Sequence, residues 1–99
     1  MGEQPSANDT IAVVTINWNG WRDTLACLAS LQASEGVHWH LYLVDNASTD
    51  GSLDQLTDLP ETVTLIASPI NAGWAEGNNI GIRRALENGH AHVFLLNND

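Results

Sequence analysis

The chain has 99 residues, enough for one modest core, and its 43% apolar content is that of a globular protein rather than a disordered one. Its charge is lopsided: three Arg, no Lys and twelve acids give a net charge of -9. A chain this acidic has no basic footprint for nucleic acid or an anionic membrane, so a divalent cation or a small polar ligand is the partner to expect.

In chain order, residues 1–9, "MGEQPSAND", are polar and read as a loose arm before a domain spanning 10–99. "TIAVVTIN" is a continuous apolar, β-branched run, the pattern of a strand buried on both faces. "WRDTLACLASLQAS" places Leu25, Leu28 and Leu31 at helical spacing, with Asp23 in its first turn and Gly36 beyond its end. "HWHLYLVD" is a second strand. "NASTDGS" is a turn expected to cap a short helix, "SLDQLTDL", which Pro60 closes. "TVTLIAS" is a third strand and Pro69 marks its exit. "AGWAEGNNIGIRRALENG" is a third helix closed by the Asn88–Gly89 signal, and "AHVFLL" is a fourth strand. Strands alternating with helices imply an α/β, three-layer, Rossmann-like parallel sheet with right-handed crossovers and helices on both faces.

Ligands of such sheets bind beyond the C-terminal ends of the strands. The four tips read "TINWNGW", "VDNASTDGS", "SPINAGW" and "LLNND", so Asn17, Asn19, Asp45, Asn46, Asn71, Asn97 and Asp99 gather on one rim. One polar tip is ordinary turn chemistry; four together form a polar binding site. A dinucleotide fold needs G-x-G-x-x-G in its first turn, where "NWNGW" offers Gly20 alone. A Walker P-loop and a phospho-acceptor receiver domain each need a Lys, which this chain lacks.

Together, "VVTINWNG", "LVDNASTDGS", "NAGWAEGNNIGIRRAL" and "VFLLNND" resemble, in order and spacing, the N-terminal half of family 2 glycosyltransferases of the GT-A fold, with the rhamnosyltransferase-like branch nearest. The resemblance spans residues 11 to 99 and implies a sheet order of 3-2-1-4. It further implies that Thr15, Asn17, Trp18 and Asn19 line a nucleotide base pocket. Asp45 resembles the acid that hydrogen-bonds the base, and an Asp there can accept from the imide N–H of uracil or thymine; capping of the next helix by Asp45 and Ser48 is the alternative. Asn46, Asn71, Gly73, Gly77, Asn78 and Asn79 complete the implied nucleotide site. Gly73, Gly77 and Gly81 recur every four residues on one helical face, where either a ligand or the sheet itself could approach closely. Asn78 stands where many relatives carry Arg, which removes a cation that could face a diphosphate.

Asn97-Asn98-Asp99 falls at the D-x-D signature in the form N-x-D. The resemblance therefore implies a Mg²⁺ or Mn²⁺ ion with Asp99 as direct ligand, and Asn97 directed at ribose or a metal-bound water. The expected function is the binding of a UDP- or dTDP-sugar donor within an enzyme that transfers a hexose or deoxyhexose to a carbohydrate acceptor. The acceptor half and the catalytic base are expected beyond these residues, so the chain alone is expected to be inactive. A non-catalytic α/β module without nucleotide affinity is the alternative.

Four further expectations complete the reading. The His pairs of "HWH" and "HAH" could chelate Zn²⁺ but read as solvated strand entries. Trp21, Trp39 and Trp74 read as packing residues rather than sugar platforms, with Trp74 bordering the site. Cys27 has no partner for a disulfide, no apolar run nears the roughly 20 residues of a membrane span and no signal peptide is visible, which together suggest the cytoplasm. The fourth strand is expected at an unprotected edge, where it invites a homodimer.

Overall fold

The computed structural model describes residues 10–34 and 36–97. The arm expected over residues 1–9 and Asp99, the expected metal ligand, lie outside the described residues.

Four strands alternate with three helices: β1 (Ile11–Asn17), α1 (Trp21–Ala33), β2 (Trp39–Asn46), α2 (Ser52–Gln55), β3 (Val63–Ser68), α3 (Gly73–Glu87) and β4 (Val93–Leu95). All pairings are parallel, in the order β3-β2-β1-β4. That is the expected sheet. Side chains alternate across the sheet, and the sequence therefore feeds two cores. Val13, Leu41 and Leu43 meet Leu28 of α1 and Leu56 at the end of α2 on one face. Ala12, Val14 and Tyr42 meet Ala85 of α3 on the other.

The two long helices are seated differently. α1 buries Thr24 and Leu28, with Leu25 and Leu31 packed beside them. α3 instead brings glycine to the sheet. A Cβ on Gly81 would lie 2.5 Å from Val14 Cγ1, and one on Gly77 would lie 2.8 Å from Ile16 Cδ1. At Gly77 and Gly81 helix-to-sheet packing, not an open approach for a ligand, fills the space, whereas nothing lies within 4 Å of a Cβ on Gly73.

The ends of α3 follow the sequence closely. Gly89 turns left-handed at φ 88, its N–H donates to Leu86 O, and the N–H of His90 reaches back to Ala85 O. These bonds satisfy the last carbonyls of the helix in a Schellman arrangement. α2 is shorter than expected. It stops after one turn, where Leu56 leaves helical geometry at φ -95 and ψ 56, and the left-handed Asp58, φ 53, keeps the helix from resuming.

The histidine reading needs correction for two of the four residues. His38 and His92 are exposed, as strand entries should be, but His90 is buried and His40 half-buried. Tyr42 OH lies 2.8 Å from His90 Nε2, Asn88 Nδ2 donates to Tyr42 OH at 3.0 Å, and His90 Nδ1 sits 2.9 Å from Thr10 O. His40 Nε2 is 2.7 Å from Thr64 Oγ1, and its ring packs 4.8 Å from that of Tyr42. The phenol on β2 is long enough to gather these rings from separate segments, so they lock the base of the domain. No group of three or more metal-ligating side chains occurs among the described residues.

Candidate functional site at the carboxyl ends of the strands

The alternation that makes two cores also divides the rim residues into two sets. Thr15, Asn17 and Asp45 point to the α1 side, while Ile16 and Asn46 point to the α3 side.

The first set forms a sealed hub. Asn17 and Asp45 are opposite one another in the β1–β2 register and both are fully buried. Asn17 Nδ2 donates to Asp45 Oδ1 at 2.8 Å, and Asn17 Oδ1 accepts from Thr24 Oγ1 at 2.7 Å. Ser48 donates twice to Asp45, from Oγ to Oδ1 at 2.7 Å and from its backbone N–H to Oδ2 at 3.1 Å. Neutral donors thus surround a carboxylate removed from water, as burial of such a group requires. Asn19 closes the cover: its Oδ1 accepts from the N–H groups of Thr49 and Asp50, and its own N–H donates to Ser48 Oγ. Thr15 Oγ1 donates to Leu96 O at 2.6 Å, tying the tip of β4 to β1. Every buried side-chain polar atom among the described residues has a partner. A base could reach Asp45 only if the 47–50 loop moved.

The second set borders an open pocket of about 350 Å³, lined by Ile16, Trp18, Asn46, Asn71, Gly73, Trp74 and Asn97. Asn46 fixes its floor. Its Nδ2 donates to Gly73 O at 3.2 Å and its Oδ1 faces the N–H of Ala72 at 3.4 Å, so the tip of β2 holds the loop that enters α3. Asn71 Oδ1 accepts from the N–H of Gly73, whose φ of 88 suits glycine at this turn. Trp18 and Trp74 stand 55% and 62% exposed. The packing role expected for Trp74 is therefore corrected, whereas Trp21 and Trp39 do pack against the α1-side core.

Besides the hub residues Thr15, Asn17, Asn19 and Asp45, three more of the expected residues stand outside the pocket. Gly77 faces the sheet. Asn78 is buried and donates to Trp74 O at 3.0 Å, one turn back in its own helix, and Asn79 is exposed beside Glu76. The supporting roles of Thr24, Thr49 and Asp50 were not anticipated. Only Ser48 carried a local signal, the Asp-x-x-Ser spacing that lets an Asp accept from the backbone three residues on.

A divalent ion finds no ready-made cage among the described residues. Asn97 brings an amide to the pocket wall, and Asp99 lies outside the description. No described helix is long and apolar enough to cross a membrane.

No curated protein matches the chain. Residues 12–99, however, match the model of glycosyl transferase family 2, a stretch that takes in both the sealed hub and the open pocket. A parallel 3-2-1-4 sheet, a polar crevice beyond its carboxyl ends and a match over nearly the whole chain lead to one conclusion: the chain belongs to glycosyl transferase family 2.

Proposed function

We propose that this domain binds a nucleotide-sugar donor, a UDP- or dTDP-sugar, in the open pocket, as the donor-binding part of a rhamnosyltransferase-like enzyme. The reaction served is transfer of a hexose or deoxyhexose to a carbohydrate acceptor. One observation carries the reading: the 350 Å³ pocket at the strand tips is bordered by amides and two exposed indoles, and it belongs to a family 2 glycosyltransferase sheet. Amides present both donors and acceptors to a base or a sugar, and ligands of open parallel sheets collect at this edge.

The roles of the chain's residues follow from their positions. Asn46, Asn71 and Asn97 orient the ligand by hydrogen bonds, and Trp18 and Trp74 cover its apolar surface. Thr15, Asn17, Asn19 and Asp45 act beneath the pocket by holding the tips of β1 and β2 rigid. Asp99, with Asn97 nearby in sequence, is the proposed site for Mg²⁺ or Mn²⁺. Such an ion, when bound, supplies neutralisation of the charge that builds on the departing nucleoside diphosphate. A cytoplasmic location and a homodimer formed through β4 belong to the same proposal.

Calorimetric titration with UDP or dTDP, with and without Mn²⁺, tests the reading. Saturable binding that Mn²⁺ strengthens is the expected result, and Asp99→Ala should remove the metal dependence. Absence of heat with either nucleotide at millimolar concentration sinks the proposal and favours a non-catalytic module.

A further inference from the structure

We propose that Thr15 is a positioning residue for the donor: it aims Asn97 into the open pocket by holding the carbonyl of Leu96. This rests on the reading of that pocket as the nucleotide site. Thr15 itself does not reach a ligand there, because it is 1% exposed and forms no part of the pocket wall. Asn97 does border the pocket, together with Ile16. Any influence of the Thr15 hydroxyl on the donor therefore passes through the chain it grips.

The grip falls on the peptide unit that joins Leu96 to Asn97. Thr15 Oγ1 donates to Leu96 O at 2.6 Å, and the N–H of Leu96 donates to Val14 O at 2.8 Å. Both backbone polar groups of Leu96 are thus held by neighbouring residues of β1. A peptide unit is planar, so fixing its oxygen fixes the direction in which Asn97 leaves the sheet. The anchor is rigid in its turn. β1 is paired on both sides, Val14 is fully buried, and Leu95 stands opposite Val14 in the register. Two residues beyond Thr15, Asn17 is locked to Asp45 and Thr24.

Aim matters because Asn97 stands between two hollows. One is the open pocket on the α3 side. The other, of about 440 Å³, lies on the α1 side against Asp23, Cys27, Ser30 and Leu96. Successive side chains of an extended chain point to opposite faces, so a peptide that turns over at the tip carries its side chain across. β4 has only three residues and a single neighbouring strand among the described residues, so it offers little resistance of its own to such a turn. The hydroxyl supplies a restraint that the short ladder lacks. Thr15→Val keeps nearly the same shape and the same strand preference but removes that donor.

The test uses the full chain with Thr15→Val, Thr15→Ser, Asn97→Ala and the Thr15→Val, Asn97→Ala pair. Thr15→Val should weaken binding of UDP or dTDP, whichever the native chain binds, about fivefold, the effect of one net hydrogen bond. Thr15→Ser keeps the hydroxyl and should bind within about twofold of the native chain. In the Asn97→Ala background, Thr15→Val should cost little further affinity, because the residue it positions is gone. Amide hydrogen exchange of the ligand-free chain reads the grip directly: the Leu96 N–H should exchange about fivefold faster in Thr15→Val, with the amides of β2 unchanged. Should Thr15→Val fail to fold by circular dichroism, Thr15→Ala removes the same donor and carries the same expectations. Full-strength binding by Thr15→Val, a loss undiminished in the Asn97→Ala background, or unaltered Leu96 exchange overturns the positioning role while the nucleotide site stands. If the native chain binds neither nucleotide, the site itself is refuted and the role of Thr15 falls with it.

Discussion

At the scale of single residues, the tightest constraint lies where α3 touches the sheet. Gly81 faces Val14, a β-branched side chain with no exposure and no room to turn. Adding one methyl there improves helix propensity by about 1 kcal/mol, but overpacking a filled core costs about 1–3 kcal/mol. The second term wins because the added carbon would sit 2.5 Å from Val14 Cγ1. Gly81→Ala should therefore lower stability by up to about 2 kcal/mol, read as a reduced urea midpoint. An unchanged or raised midpoint would show that the helix can slide outward freely. The four-residue glycine spacing was legible in the sequence, but whether ligand or sheet filled the space was not. That depends on Val14 and Ile16, more than sixty residues away along the chain.

At the scale of elements, the C-terminal end of α3 is fastened to β2 by the Tyr42–His90–His40 cluster. Burial, and then the nearby His90, hold the His40 imidazole below its ordinary value, which favours its neutral form in the folded chain. The unfolded chain takes up this proton near the usual histidine value of about 6.5. Folding therefore loses stability as pH falls through that value, and the loss is complete only below the lower, folded value. The melting temperature should drop between pH 7.5 and 5.5, and His40→Gln, which keeps a polar partner for Thr64, should flatten that slope. An identical slope in the variant would assign the dependence to other groups. The pairs "HWH" and "HAH" drew notice in the sequence as possible chelators, yet their use is hydrogen bonding. One member of each pair turns inward: strand alternation puts His40 on the same face of β2 as Tyr42, with their rings 4.8 Å apart, and His90 meets the Tyr42 hydroxyl.

At the largest scale, β4 is an edge among the described residues. There it pairs with β1 alone, and Phe94, Leu95 and Leu96 are 59%, 47% and 37% exposed. An apolar hollow of about 320 Å³ lies beside them, with Val13, Leu31 and Trp39 in its wall. Such an edge recruits another strand, and two copies can pair antiparallel across a two-fold axis, a contact that closes on itself. The net charge of -9 opposes approach only within a Debye length of about 8 Å at physiological salt. Sedimentation equilibrium of the chain at high micromolar concentration should give a dimer, and Leu95→Lys should return it to monomer. A monomer throughout the range removes this proposal without touching the nucleotide site.

The sequence by itself determined the alternation of strands and helices, the parallel sheet and its order through family resemblance, the turn that ends α3, and the rim on which the polar residues collect. Apart from the sheet order, which the resemblance implied, these follow from periodicity, turn chemistry and motif spacing, which are local properties of the chain. Only the tertiary structure decided how that rim divides. Strand alternation turns Asn17 and Asp45 toward α1, where Thr24 and Ser48 close over them, and turns Ile16 and Asn46 toward α3, where the pocket stays open. Whether a polar side chain meets water, a ligand or another side chain depends on what packs above it. That covering comes from residues distant in sequence, so spacing alone could name the rim but not the side of it that remains free to bind.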